Sequence, residues 1–199
     1  TLLYRCGRIT APLYLQILWR TFAWSLGATV ICLVMGYPVA YLIARSGKWR
    51  NLLMFLVVLP FWTSFLVRTF AMIFLMRDTG LINATLLSLG LITEPIPLLY
   101  TPFAVMVGLV YGFLPFMVLP IYASLEKLDL SLLEAAEVLG ARPWARFVKV
   151  TFPLSLPGVV AGLVLVAIPV SGEVVVPALL GAPESLTFGR VIWDAFFQE

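Results

Sequence analysis

Histidine is absent from all 199 residues. That removes the commonest metal ligand and the commonest general base near neutral pH in one stroke. Cysteine is nearly absent. Cys6 and Cys32 lie far apart, neither belongs to a CxxC pair, and Cys32 sits inside an apolar run, so zinc and dithiol redox chemistry have no support. Charge is scarce too: charged residues make up 12% of the chain, against roughly 25% in an ordinary soluble domain. The phosphate-cradling signature G-x-x-x-x-G-K-[ST] is also missing. The one Gly-Lys pair, Gly47-Lys48, has Leu42 where the first Gly would stand and Trp49 where the Ser or Thr would stand, so this chain does not bind ATP by that route.

What is present is apolar sequence. Hydrophobic residues reach 62% and the mean hydropathy is +1.04, which places the chain among integral membrane proteins. Four stretches are long enough to cross a bilayer as helices, which takes about 20 residues: 22–44 without a charge, 52–76 broken only by Arg68, 101–125 again uncharged, and 154–182 broken only by Glu173. The expected fold is an all-α polytopic membrane protein, with 1–199 as one transmembrane domain. The chain begins at Thr1 and stops at Phe196-Phe197-Gln198-Glu199, and we expect it to be a piece of a longer protein, clipped at both ends.

The loops differ in charge. Residues 45–51 carry Arg45, Lys48 and Arg50, and 126–153 carry Lys127, Arg142, Arg146 and Lys149, seven bases on what must be one side. Against them stand Arg77 and Arg190 with Arg5, Arg8 and Arg20, Arg68 lying within a span. The positive-inside rule therefore puts 45–51 and 126–153 in the cytoplasm.

Inside that second loop the stretch SLLEAAEVLGARPWARF (131–147) reads like a piece of a soluble protein. Ser131 with Glu134 forms a capping-box pattern, and Gly140 stands where a helix would end in a left-handed residue. The spacing predicts a helix of about nine residues, roughly 13 Å long, with Leu132, Ala136 and Leu139 on one face and Glu134 and Glu137 on another. Pro143 suits the first turn of a second helix carrying Trp144, Arg146, Phe147 and Lys149, which should stop near Thr151 before Pro153 and Pro157. A helix this short is marginal alone. Either it lies on the headgroups as an interfacial elbow, or it docks in a groove of a partner.

Glu134-Ala135-Ala136, then Gly140, then Pro153, in a basic loop between two spans, resembles the EAA loop of binding-protein-dependent ABC importer permeases. The segments LPFWTSFLVRTFA (59–71), YGFLPFMVLPIYASLEKLD (111–129) and PVSGEVVVPALLGAPES (169–185) resemble the polyamine (putrescine and spermidine) branch of that family. The resemblance implies a type I permease core of six spanning helices, four of them here, and a coupling helix docked on a cytoplasmic ABC ATPase dimer. It also implies a second homologous permease subunit, a periplasmic or extracellular substrate-binding protein and a bacterial inner-membrane location. ATP and magnesium would be held by the ATPase, with no cofactor on this chain and no nucleic acid among its partners. Ser131, Glu134, Ala135, Ala136, Gly140, Arg142 and Pro153 would make the ATPase contact.

Arg68 and Glu173 are the ionisable groups within apolar stretches, where a charge costs at least about 2.5–3.5 kcal/mol and normally faces a partner or a wet cavity. They could satisfy each other, or Arg68 could reach the surface. Alternatively Glu173, with Pro169, Gly172 and Pro177 interrupting its helix, marks a transport site of the broken-helix kind. A carboxylate there suits a polycation, and Trp62, Phe65, Tyr111 and Phe116 could offer ring faces to an ammonium; equally, these rings could be core or lipid-facing. The expected function is the path-forming, non-enzymatic subunit of an ATP-driven polyamine importer. An importer of the same family for an anion or an amino-acid derivative remains open, as does, remotely, an integral membrane enzyme or a channel.

Overall fold

The computed structural model describes residues 11–181, with side chains described for 17–129 and 131–181. Arg5, Cys6, Arg8, Arg190 and the 182–185 end of the third quoted segment lie outside the described residues. Every regular element among the described residues is helical: α1 (Ala11–Arg45), α2 (Arg50–Val58), α3 (Phe65–Met76), α4 (Leu81–Ser88), α5 (Pro102–Glu126), α6 (Leu130–Val138), α7 (Pro143–Gly172) and α8 (Val175–Leu180). Three of them, α1 over Ile17–Arg45, α5 and α7, are long and apolar enough to cross a membrane, and a fourth span is present if the Gly47–Trp62 and Phe65–Ser88 pair counts as one.

That pair is where the structure departs from the expected 52–76 span. A 3₁₀ turn at Leu59–Trp62 follows α2, the helix breaks at Thr63–Ser64, and Ser64 (ψ 138°) restarts it as α3. Pro60 has no N–H to give back to the preceding turn, so the ladder tightens and stops there. The fourth stretch differs at both ends. The helix does not pause near Thr151: α7 runs unbroken from Pro143 through Pro153 and Pro157 and ends at Gly172, well before 182. Residues Phe147–Thr151 form a π-turn, with the Phe152 N–H bonded to the Phe147 carbonyl. One wide turn ahead of Pro153 accommodates the missing donor and the ring, which is how spanning helices keep proline without breaking.

The described chain divides into two compact units, one of 29–62 and 112–167, the other of 11–28, 63–111 and 168–181. In the first, Cys32, Ala40 and Ile43 of α1, Met117, Val118 and Ile121 of α5 and Val166 of α7 are buried to 1% exposure or less. Gly158 and Gly162 lie one turn apart on α7. A side chain at Gly158 would fall on the Pro120 carbonyl and Ser124, and one at Gly162 would meet the Met117 sulfur at 2.7 Å. Small residues at i and i+4 let two helix backbones close up where apolar burial alone cannot hold them together in lipid. Ser155 adds a polar tie. Its hydroxyl donates to the Phe152 carbonyl (2.9 Å), so the Tyr37 hydroxyl donates to Ser155 (2.9 Å).

In the second unit the 77–100 loop is held by Asn83, which is fully buried. Its amide donates to the carbonyls of Arg77 (3.2 Å) and Ile96 (2.9 Å), and its oxygen accepts from the Ile96 N–H (3.0 Å). α8 packs where α5 has no side chain: a Cβ at Gly108 would sit 2.6 Å from Leu180 and 2.8 Å from Val176, and both of those residues are buried.

Candidate functional site

α6 is nine residues long, and each end is closed by bonds the sequence can be checked against. The N-terminal cap is Asp129, whose carboxylate accepts from the Ser131 N–H at 2.9 Å. Ser131 is therefore in the first turn, not at the cap, and the Ser131–Glu134 capping box is not formed. The Asp129 carboxylate is a favoured cap and also meets the positive end of the helix dipole. The bonds to Ser131 hold the Asp129 carboxyl below its usual value. At the other end Gly140 takes φ +78°. Its N–H bonds to the Glu137 carbonyl (2.8 Å) and the Ala141 N–H to the Ala136 carbonyl (3.0 Å), the paired bonds of a Schellman ending. Arg142 then caps α7 by backbone position, with Pro143 in its first turn.

Among the described residues, α6 is fastened to the rest of its unit on one side. Glu137 forms an ion pair with Arg146 of α7. At the next residue, the Phe147 ring is surrounded by Tyr37 (5.6 Å between centroids), Tyr41 (5.9 Å), Trp144 (5.7 Å) and Phe152 (6.4 Å). Arg50 pairs with Glu126 and lies over Tyr122 at 5.8 Å, so 45–51 and the start of 126–153 meet on one side, as the alternation of spans requires. The opposite side of α6 is bare: Ser131, Glu134 and Ala135 are exposed, Ala136 is half-buried, and Val138 and Leu139 are 88% and 87% exposed. Among the described residues the expected Leu132–Ala136–Leu139 face is thus covered only at Ala136.

The second group of candidate residues divides between the two units. Arg68, Phe65, Tyr111 and Glu173 belong to one, Trp62 and Phe116 to the other. Glu173 sits in the break between α7 and α8, half-buried, and its Oε1 accepts from the N–H of Val175 (2.9 Å) and of Val176 (3.4 Å). The carboxylate thereby serves the first turn of α8. Arg68 is half-buried with its guanidinium 5.5 Å above the Phe65 ring. Trp62 is exposed and packs edge-on against Phe55 (5.7 Å), Phe116 against Phe61 (5.0 Å), and Tyr111 is exposed. Among the described residues no cluster of carboxylate and cysteine side chains is arranged to hold a metal. The sequence reading missed Asp129, the Glu137–Arg146 pair and Phe147. Asp129 was visible as a good cap residue two places before Ser131; the other two depend on helices that only the fold brings together.

This chain matches the model of the binding-protein-dependent transport system inner membrane component family over residues 14–199. It is 46% identical over 186 residues to the spermidine/putrescine transport system permease protein PotB of Haemophilus influenzae, covering 93% of this chain and 65% of that protein. Against the protein of the same name from Escherichia coli it is 45% identical over 186 residues, covering 93% of this chain and 68% of the relative. Against the inner membrane ABC transporter permease protein YdcU of Escherichia coli it is 33% identical, covering 86% and 59%. The chain thus spans about two thirds of the length of the curated relatives it matches. With its long apolar helices and a capped helix in the basic loop between two of them, the chain belongs to the family of binding-protein-dependent transport system inner membrane components.

Proposed function

We propose that this chain is the path-forming part of a permease subunit in an ATP-driven importer, that the imported solute is a polyamine such as putrescine or spermidine, and that α6 is the contact with a separate cytoplasmic ATPase. The observation that carries the reading is the state of α6. A nine-residue helix is bonded at both ends, tied on one side through Glu137–Arg146, and left apolar and uncovered on the other at Val138 and Leu139. Exposed apolar surface on a rigid short helix is what a groove-type partner takes. The names of the relatives support the polyamine assignment.

In this reading 45–51 and 126–153 face the cytoplasm of a bacterial inner membrane, where Ser131, Glu134, Ala135, Ala136, Gly140 and Arg142 present α6 to the ATPase. Pro153 follows the π-turn in α7 and stiffens the stem. The ATPase, as a dimer, holds ATP and magnesium and supplies the closing motion; Phe147 and the Glu137–Arg146 pair pass it to α1 and α7. A second homologous permease completes the path, and a binding protein outside delivers the solute. Glu173, with Trp62, Phe65, Arg68, Tyr111 and Phe116, contributes to that path, the carboxylate offsetting cationic charge as the solute leaves water.

The test is ATP-dependent uptake into vesicles holding the full-length protein with its partner subunits. Labelled putrescine and spermidine should accumulate. Uptake of an oxyanion such as a phosphonate, without either polyamine, would sink the assignment of the solute, and uptake unaffected by removal of the ATPase would sink the assignment of α6.

A further inference from the structure

Arg45 is the last residue of α1. Its Nη1 donates to the Tyr41 hydroxyl at 2.6 Å, and its guanidinium lies 5.2 Å from the centre of that ring. Both contacts are with Tyr41, and the ion pairs among the described residues, Arg50–Glu126 and Arg146–Glu137, do not include Arg45. Arg45 and Arg146 line one cavity of about 60 Å³ together with Tyr41 and Thr151. A cavity admits a water from roughly 15 Å³ upward, so this one has room for a small polar group. Two arginines line this space, and among the described residues the one carboxylate paired with either is that of Glu137, so the cavity carries surplus positive charge.

On the adjoining face of α1 a second feature begins. Pro38 and Leu42 of α1 and Leu53, Leu56 and Val57 of α2 line an open, almost wholly apolar groove of about 330 Å³. Pro38, Leu42 and Arg45 stand at i, i+4 and i+7, one ridge of the helix. The groove therefore runs along the bilayer-crossing part of α1, and the ridge that lines it reaches Arg45 one turn further on. Lys48 and the exposed Trp49 follow Arg45 in the chain, the residue types that sit at headgroup depth.

We propose that cavity and groove together bind one anionic phospholipid of the surrounding leaflet, with its phosphodiester between Arg45 and Arg146 and an acyl chain along Pro38, Leu42 and Leu56. Guanidinium forks match phosphate oxygens in shape and charge, and basic pockets between spanning helices at the membrane surface take anionic headgroups. A free phosphate would fill the cavity and leave the groove without purpose. A zwitterionic headgroup would bring an ammonium toward the surplus positive charge. The bound lipid would fasten the end of α1 to the start of α7, the mount of α6.

The experiment uses the full-length protein with its accompanying subunits, purified in detergent with equal phosphatidylglycerol and phosphatidylcholine, and counts the lipids retained by native mass spectrometry. The wild type should retain about tenfold more phosphatidylglycerol than phosphatidylcholine, unaffected by millimolar inorganic phosphate. Arg45→Gln should bring the two lipids to parity, while Arg45→Lys should keep most of the preference. Leu56→Trp, which fills the groove and leaves both arginines in place, should also lower phosphatidylglycerol retention. Parity in the wild type, an unchanged preference in Arg45→Gln or Leu56→Trp, or displacement by inorganic phosphate would overturn the proposal. The readout is binding alone, so it stands or falls independently of the transported solute.

Discussion

The helical path of this chain is broken on either side of α7, and the two breaks are built differently. Before α7, the turn at 139–142 is closed by backbone bonds: Gly140 supplies the left-handed residue, and two N–H groups return to the carbonyls of Ala136 and Glu137. Side-chain charge is used across that turn, in the Glu137–Arg146 pair. After α7, the break at Gly172–Val174 has one backbone bond, from the Glu173 N–H to the Val170 carbonyl (3.3 Å), and no left-handed glycine; the carboxylate of Glu173 bonds the first N–H groups of α8. The helix beyond the first break is capped and its partner α6 lies bare on one side; the helix beyond the second is buried at Val176 and Leu180. The difference teaches how to weigh the residues. A helix made rigid by its own backbone can spend its surface on another protein. A carboxylate already accepting two N–H bonds has less of its charge to offer a solute, so any role of Glu173 in transport must coexist with its role in holding α8.

The largest effect should come from unseating α8. Gly108→Leu places a side chain where Val176 and Leu180 lie 2.8 and 2.6 Å from a bare Cβ. Overpacking of this kind costs about 3 kcal/mol, a melting shift on the order of 10 °C in detergent. An unshifted melt would mean that α8 is only loosely placed, and the contrast between a buried and a bare helix would be lost.

Gly140→Leu attacks the other break through the backbone alone, since nothing lies within 4 Å of a Cβ there and only the φ of +78° resists it. The penalty is about 1–2 kcal/mol, enough to fray α6 and to weaken co-purification of the ATPase several-fold while the membrane-embedded part stays folded. Unchanged co-purification and uptake would remove α6 from the contact.

Glu173 separates the two roles by paired substitutions. Glu173→Gln keeps an oxygen to accept from Val175 and loses the charge; Glu173→Ala loses both. If the charge serves the polyamine path, both variants should lower uptake about tenfold, with only Glu173→Ala also lowering the melting temperature. Wild-type uptake in Glu173→Gln would leave the residue as a support of α8 and nothing more.

These breaks also mark what was legible in the sequence. The left-handed Gly140, the nine-residue length and the proline start at Pro143 are local features, decided within four or five residues, and all three stand in the structure. So is the interruption near Gly172. The passage of α7 through Pro153 and Pro157 was not legible, because a proline stops a helix or bends it according to whether a wide turn can form upstream, and that depends on packing around Phe147 and Thr151. The break at Thr63–Ser64 was passed over for the opposite reason: 52–76 holds one charge, Arg68, and a stretch of that composition reads as one span whether or not its backbone is continuous. The Phe147 cluster joins residues more than a hundred positions apart, and no periodicity reports it.

The smallest predicted effect concerns the correction at the start of α6. Asp129, not Ser131, caps the helix, and the bond it accepts from the Ser131 N–H lowers its carboxyl below the usual aspartate value. The group therefore stabilises the helix fully above the unfolded value, about 3.9, and the contribution disappears only as pH falls through the lower folded value. Amide exchange at Ser131 in the assembled complex should show constant relative protection from pH 8 to pH 5, with loss confined to pH below the ordinary carboxylate range. Asp129→Ala should lower that protection across the whole range, whereas Ser131→Ala should leave it nearly unchanged. The reverse ranking would restore the capping box at Ser131 and Glu134, and with it the reading in which this helix start matches the simplest sequence pattern instead of the acidic residue two places earlier.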